Sequence, residues 1–366
     1  MAIAPAEPAR RPELPSVMHP GRIALVTPGF WPAIGGVERH VEMLGRGLAR
    51  RGIEVEVITT DPGRDQPTLE RRDNFLIRRF PTVAGDSVFQ IAPRLGWWLA
   101  KNANRFALIH AHSYHTPVAL QAAVACHWSS VPLLVTTHYH GVGHSRLRRR
   151  LHAPYRIFGA WMLRQAEAVI CVSNAESTLL VEHFGDRLPV TVIPNGVDVD
   201  EVTAARPRDR DPSRPLVLVA GRLEPNKEVN RLVSAMALLP NRFRLAIAGD
   251  GPARGAIAGA VKETCLADRV ELLGQLTRLD LLEWFRTADV FVSLSRHEAF
   301  GLTVMEAAAG GCRLVLSDIP AHRELAGYFP PNSVSLVPSD AAPAAVADAI
   351  GGAASLGRLP SPPASP

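Results

Sequence analysis

Cysteine is scarce: there are four in 366 residues, Cys126, Cys171, Cys265 and Cys312, far apart in the chain. No Cys-x-x-Cys pair occurs, so neither a zinc knuckle nor a disulfide framework is indicated, and a reducing cytoplasm suits the sequence. Long apolar runs are missing as well. None approaches the roughly 18 residues that a membrane span needs, so any membrane contact is expected to be peripheral. Residues 1–20 mix proline, arginine and glutamate without an apolar core segment. They are read as a disordered tail rather than a secretory leader. Acidic residues are absent over one long interval. Between Asp86 and Glu167 there is no Asp or Glu, while the same interval carries nine Lys/Arg and eight of the thirteen histidines. The net charge of +5 is too mild to suggest a nucleic-acid partner. The acid-free interval suggests instead an anionic surface or an anionic small molecule.

Hydrophobic residues make up 47% and charged residues 20% of the chain, enough for a full core and for solubility. The length suggests two domains. Arg22 to Thr27 reads as a buried parallel strand. A loop with Gly29, Gly35 and Gly36 follows, then an amphipathic helix marked by Val37, Val41, Leu44 and Leu48 and ended by Gly52. Val55 to Thr59 is the next strand, completing a right-handed βαβ unit. Further strands are expected at 76–80, 107–112, 133–138, 168–173 and 190–193. Two of them end in histidine, at His112 and His138. A second series of the same kind opens at Leu216–Gly221 and continues through 244–248, 270–273, 290–294 and 313–316. The expected architecture is α/β, with two doubly wound Rossmann-like domains facing across a cleft. Their boundaries are read as a first domain over 21–202, a linker over 203–215, a second domain over 216–352 and a disordered tail over 353–366.

Three loops carry chemistry. Gly35-Gly36, at a helix start, lets backbone N–H groups approach an anion. The loop lacks Gly-x-Gly-x-x-Gly, which argues against a nicotinamide dinucleotide. The second domain's first loop, Gly221-Arg222-Leu223-Glu224-Pro225-Asn226-Lys227, offers an arginine fork and a lysine point charge, both suited to phosphate oxygens. The third stretch runs Ser295-Arg296-His297-Glu298-Ala299-Phe300-Gly301-Leu302-Thr303-Val304-Met305-Glu306-Ala307. It follows an apolar strand, and helical spacing begins at about Leu302. Glu298 therefore sits in a loop, and Glu306 lies about one turn inside the helix. In an open parallel sheet such strand-to-helix loops are where ligands bind.

An acid pair around Phe-Gly-Leu, followed by Glu-Ala-Ala-Ala-Gly-Gly and a strand ending Val-Leu-Ser-Asp-Ile-Pro, resembles the donor-site signature of the retaining glycosyltransferases of family 4. The first loop, Pro-Gly-Phe-Trp-Pro-Ala-Ile-Gly-Gly-Val-Glu, and the junction turn Pro194-Asn195-Gly196-Val197-Asp198 resemble the same family. The resemblance runs from about Arg22 to Ile350 and implies the GT-B architecture. It gives Glu298 to the hydroxyls of the transferred sugar and Glu306 to the ribose of the nucleotide. Arg222 and Lys227 fall to the donor diphosphate, with Gly35 and Gly36 beneath it. His138 resembles the histidine set near the transferred sugar and its phosphate. His112 and, in the first loop, Trp31 border the acceptor. Asn195, Gly249, Phe300, Gly301 and Leu302 count with the donor site.

The reaction so implied is transfer of a sugar from a nucleotide-diphosphate sugar, such as a UDP- or GDP-sugar, with retention of anomeric configuration. His138, Glu298, Arg222 and Lys227 are the expected catalytic residues. No metal is expected, since no Asp-x-Asp pair stands in a suitable loop, and no cofactor beyond the co-substrate. The acceptor is expected to be lipid-linked or anionic, in cell-envelope or glycan biosynthesis. Two departures from the family pattern stand out. Glu228 occupies a position that is usually glycine, and the family's closing C-terminal helices are expected to be missing. An inactive or truncated sugar-nucleotide-binding protein, or another enzyme on this fold such as an epimerase, is the alternative. Arg146 to Arg150 lead into Leu151, Tyr155, Phe158, Trp161 and Met162. Such a helix suits either the headgroup region of an anionic membrane or packing on the first domain's sheet.

Overall fold

The computed structural model of the chain describes residues 21–32, 35–73, 75–85, 90–141 and 146–360, the side chains at 84–85 and 146–154 excepted. The first half alternates strand and helix: β1 (Ile23–Val26), α1 (Gly36–Arg50), β2 (Val55–Asp61), β3 (Leu69–Arg72), β4 (Phe75–Pro81), the short hairpin β5 (Ala84–Gly85) and β6 (Gln90–Ile91), and α2 (Pro93–Asn102). It continues with β7 (Leu108–His112), α3 (Pro117–Ser129), β8 (Leu133–Thr136), α4 (Arg146–Gln165), β9 (Ala168–Cys171), α5 (Asn174–Phe184) and β10 (Val190–Val192). Apart from the β5–β6 hairpin, these strands form one sheet of order β10-β9-β8-β7-β1-β2-β4-β3, parallel except where β3 joins β4.

The second half runs α6 (Val199–Ala204), β11 (Leu216–Ala220), α7 (Val229–Met236), β12 (Arg244–Ala248), α8 (Arg254–Glu263), β13 (Val270–Gly274) and α9 (Arg278–Thr287). It ends with β14 (Val290–Ser293), α10 (Leu302–Ala309), β15 (Arg313–Ser317), α11 (Pro320–Ala326), β16 (Val334–Val337) and α12 (Pro343–Ser355). Its sheet has the order β13-β12-β11-β14-β15-β16. The strands are short and the inner ones are buried on both faces, as covered parallel strands must be: Leu314, Val315 and Leu316 on β15 are all inaccessible to solvent.

In each sheet the chain order reverses beside the first strand of its series. β1 lies between β2 and β7, and β11 lies between β12 and β14. The crevice at the carboxyl ends of the strands opens at such reversals. The loops after β1, β7 and β8 and those after β11 and β14 therefore stand at the two places where an open α/β sheet binds its ligand.

The two halves touch through specific bonds. Ser173 Oγ donates to the Ala299 carbonyl at 2.7 Å. The Glu324 carboxylate of α11 accepts from the Asn174 and Ala175 backbone N–H groups at 2.9 Å each, satisfying donors at the open start of α5.

The chain does not become a tail at residue 353. α12 continues to Ser355 with Ala353 buried. Beyond it Arg358 donates to the Ala288 and Gly310 carbonyls, and the Leu359 N–H donates to Gly311 at 2.8 Å. Backbone acceptors at the foot of the second sheet hold this segment, which composition alone does not reveal. Residues 1–20 and 361–366, also read as tail, lie outside the described residues. The Arg146–Arg150 cluster falls on helical backbone, but its side chains lie outside the described residues. The apolar residues after it divide. Met162 is fully buried and Tyr155 Oη donates to the Tyr114 carbonyl at 2.7 Å, whereas Phe158 is exposed.

Candidate active site

β14 delivers its chain to a loop, and Gly301, with φ of +116°, turns that loop into α10. Glycine is needed for this conformation. Leu302 and Phe300 are buried in the second domain's core and anchor the turn, so they act as packing beneath the site. Glu298 projects from the loop. Its carboxylate lies 2.5 Å from Lys227 Nζ, across from the loop after β11. Burial would raise the Glu298 carboxyl, but the Lys227 ammonium and the neighbouring His322 ring outweigh it and hold it below its ordinary value. Two residues read separately from the sequence, an anion binder and a hydroxyl binder, thus form one pair.

Glu306 is buried, one turn inside α10. Arg278 of α9 reaches it at 2.7 Å, and Arg39 of α1 approaches at 3.9 Å from the first domain. Both arginines also pair with Glu201 of α6, Arg278 at 3.0 Å. Burial pushes the Glu306 carboxyl above its ordinary value, with Arg278 and Arg39 pulling the other way. This ion cluster joins α1, α6, α9 and α10 around one carboxylate.

The loop after β11 is shaped by close backbone contact. The Gly221 N–H donates to Ala248 at 3.0 Å, and a Cβ on Gly249 would run into the Gly221 carbonyl. Gly249, with φ of +130°, is therefore a packing requirement of the loop. Arg222 Nε lies 2.9 Å from Glu224, and Arg222 also faces the Glu38 carboxylate of the first domain. Glu228 adopts a left-handed φ of +54°, which accounts for glycine being usual there. Its carboxylate turns to Arg296, 2.5 Å away. The neighbouring guanidinium offsets the charge that would otherwise repel a diphosphate.

On the first domain, a Cβ on Gly36 would meet nothing within 4 Å among the described residues, so none of them crowds the start of α1. Gly29 and Gly35 instead close around Glu38, whose carboxylate occupies the volume a side chain at either glycine would need. Burial raises the Glu38 carboxyl, with Arg222 opposing. His112 ends β7 and His138 follows β8, in adjacent strands, and both are buried. His40 of α1 completes a cluster with ring centroids 5.4 Å from His112 and 5.1 Å from His138. Burial keeps all three imidazoles neutral, holding His40 down at about 4 and the other two well below their ordinary value. His138 itself has φ of +46°. Its turn is held by the buried Glu176, which accepts from Thr137 Oγ1 at 2.5 Å and from the Tyr139 N–H. Trp31 lies farther out, 37% exposed, with the Arg72 guanidinium 3.5 Å over its ring. Asn195, in the junction turn, is largely buried beside the His40 ring.

The sequence reading did not single out Arg39, His40, Glu176, Glu201, Arg278 or His322. His40 left one trace: it lies next to Val41 and three residues after Val37, on the face of α1 that packs inward. The others act through tertiary contacts and leave no local pattern.

Comparison with known proteins agrees with this geometry. Residues 34–201 match the model "Glycosyltransferase Family 4", and residues 203–350 match "Glycosyl transferases group 1". A glycogen synthase of Mycobacterium tuberculosis (strain ATCC 25618 / H37Rv) is 28% identical over 81% of this chain and 78% of its own. A D-inositol 3-phosphate glycosyltransferase of Kineococcus radiotolerans is 29% identical over 78% of this chain and 73% of its own. Among solved structures, sucrose-phosphate synthase from Thermosynechococcus elongatus superposes with a TM-score of 0.74 at 24% identity, covering 90% of this chain and 89% of that one. Anabaena HepE in complex with UDP and glucose gives 0.73 at 21% identity, with the same coverage of both chains. The two family models take up the two sheets in turn, and the chain belongs to the family 4 glycosyltransferases of GT-B fold.

Proposed function

We propose that the chain moves a sugar from a nucleoside-diphosphate sugar to an anionic or membrane-associated acceptor, with retention of anomeric configuration and without a metal on the diphosphate. The observation that carries this reading is the pair Lys227–Glu298, set beside Arg222 and Gly301 where β11 and β14 end. The pair sets a cationic group beside a carboxylate of the kind that accepts from sugar hydroxyls. Arg222 and Lys227 stabilise the charge that grows on the leaving diphosphate, and the open start of α1 at Gly36 adds backbone donors. Glu298 accepts from sugar hydroxyls and Glu306 from the ribose. The C1–O bond to the diphosphate breaks as the acceptor oxygen bonds C1 on the same face. The acceptor proton passes to the leaving phosphate oxygen. His138 lines the sugar side, with His112 and Trp31 toward the acceptor.

HepE has been solved with UDP-glucose, which favours a uridine donor here, with guanosine the competitor. The D-inositol 3-phosphate glycosyltransferases among the relatives are in keeping with an anionic acceptor. A cytoplasmic enzyme working at the inner face of a membrane is the setting we favour. The test is a panel of nucleotide sugars, scored for release of nucleoside diphosphate with and without EDTA. Release that survives the chelator supports the proposal. Release lost in EDTA and restored by magnesium or manganese overturns the metal-free step. Tight binding of a nucleotide sugar with no turnover over a broad acceptor panel identifies a binding protein instead.

A further inference from the structure

The three histidines at the floor of the first domain do more than line a sugar site. β8, β7 and β1 are neighbours in the sheet, so the residues that follow β8, end β7 and ride on the helix after β1 converge. One ring nitrogen from each of His40, His112 and His138 lies within 4.8 Å of the other two. Among the described residues, neither ring nitrogen of the fully buried His112 is bonded, and the buried His138 Nε2 and His40 Nε2 have no partner. Buried polar atoms are nearly always satisfied, and three adjacent rings that are not call for an occupant. The fourth ring, His110, is already engaged with Thr136 Oγ1 at 2.7 Å and stands outside the set.

We infer that His40, His112 and His138 form a binding site for a borderline-soft divalent metal ion of the zinc type. Three neutral imidazoles with one open position match a known zinc arrangement. Imidazole nitrogen suits zinc, cobalt, nickel and copper, whereas magnesium and manganese prefer oxygen. Zinc–nitrogen bonds of 2.0–2.1 Å at tetrahedral angles put the nitrogens about 3.3 Å apart. Closing the set therefore needs a movement of at most roughly 1.5 Å, small enough for side-chain adjustment. A metal held here takes up His138 and blocks sugar transfer. That consequence alone rests on the transfer reaction proposed above.

The test is titration of the full chain, freed of metal by chelation, with cobalt(II) in the absence of nucleotide and acceptor. The expected result is a saturable visible absorption of tetrahedral cobalt at one ion per chain, abolished by zinc and untouched by magnesium. His40→Ala and His112→Ala should each weaken cobalt binding by at least the roughly 10- to 100-fold that losing an outer-shell partner costs. His127→Ala, on the exposed end of α3, should bind as the parent does. A rise in the parent's melting temperature with zinc gives an independent readout if a variant fails to fold. No saturable absorption and no zinc shift in the parent, or unchanged affinity in both folded variants, overturns the inference. These readouts need no turnover, so their failure is separate from failure of the transferase reading. In an active preparation zinc should inhibit and EDTA relieve the inhibition.

Discussion

Lys227 Nζ stands 2.5 Å from Glu298, joining the loop after β11 to the loop after β14. The pair makes each residue's role depend on the other. Removing Lys227 leaves the partly buried Glu298 carboxylate without its main counter-charge and, in the proposed reaction, takes a donor from the diphosphate at the same time. Lys227→Ala and Glu298→Gln should each cut kcat/KM by about 10²–10³-fold, the range for one preorganised charge-stabilising group. The double variant should lose much less than the product of the two, because contacting residues do not add. Strict multiplicativity would mean that the two groups act independently.

Glu306 is held by Arg278 at 2.7 Å, and Arg278 keeps Glu201 as a second partner. Glu306→Ala should therefore fold, since neither guanidinium is stranded. It should weaken nucleoside-diphosphate binding by about 1.5–3 kcal/mol, the worth of a charged acceptor, or roughly ten- to a hundredfold in Kd. Calorimetric titration with UDP and GDP decides this. Equal affinity in the variant would remove the ribose from Glu306.

Burial raises the Glu176 carboxyl to about 7, against the bonds it accepts from Thr137, Tyr139 and Val172. A folded-state value above the unfolded one means that the protonated carboxyl favours folding. This contribution is complete below about pH 4.5 and is lost as pH rises through about 7. Glu176→Gln does not titrate. Its stability relative to the parent should therefore climb across that window, by up to about 1.4 kcal/mol per pH unit. Denaturant unfolding of both proteins at several pH values measures the gap. A gap that stays flat with pH would show that the carboxyl does not titrate in that range. The Gln variant should also lose turnover, because its side chain cannot accept all the bonds that hold the His138 turn.

The parts of the site that could be read from sequence are those set by local order. Glu298, Gly301 and Glu306 sit in one strand–loop–helix unit, and Arg222 and Lys227 in one short loop, so spacing alone brought each group to a cleft edge. The pairing of Lys227 with Glu298 depends on β11 lying beside β14, a neighbour relation across some seventy residues. The Arg39–Glu306 approach depends on the two domains meeting. The charge that answers Glu228, Arg296, lies 68 residues away and leaves no local signal. The ordered segment through Leu359 was hidden for a related reason. Its proline-, serine- and alanine-rich composition reads as tail, but Arg358 finds carbonyl acceptors that only the folded second domain presents.

The apolar side of α4 bears on the acceptor. Met162 and Leu163 are buried in the first domain's core, so part of that face packs on protein. Ile157 and Phe158 are not spent that way: they are 73% and 57% exposed, and Trp128 on the adjacent α3 is 76% exposed. No helix among the described residues is long and apolar enough to cross a membrane. An interfacial contact needs only a few such side chains near basic residues, and the sequence supplies Arg146, Arg148, Arg149 and Arg150 on the same helix. Each basic side chain near an anionic bilayer contributes roughly 1 kcal/mol. The chain should therefore co-sediment with anionic vesicles at low salt, less so at moderate salt, and poorly with neutral vesicles. Replacing Arg148, Arg149 and Arg150 with glutamine should abolish the lipid-dependent fraction. Ile157→Ser with Phe158→Ser should weaken it at every salt concentration, because the apolar contribution is not screened. Nucleotide binding should persist in both variants, since the contacts proposed for it lie mainly in the second domain. Equal pelleting with both vesicle types, or none with either, would leave a soluble anionic acceptor as the explanation for the acid-free interval.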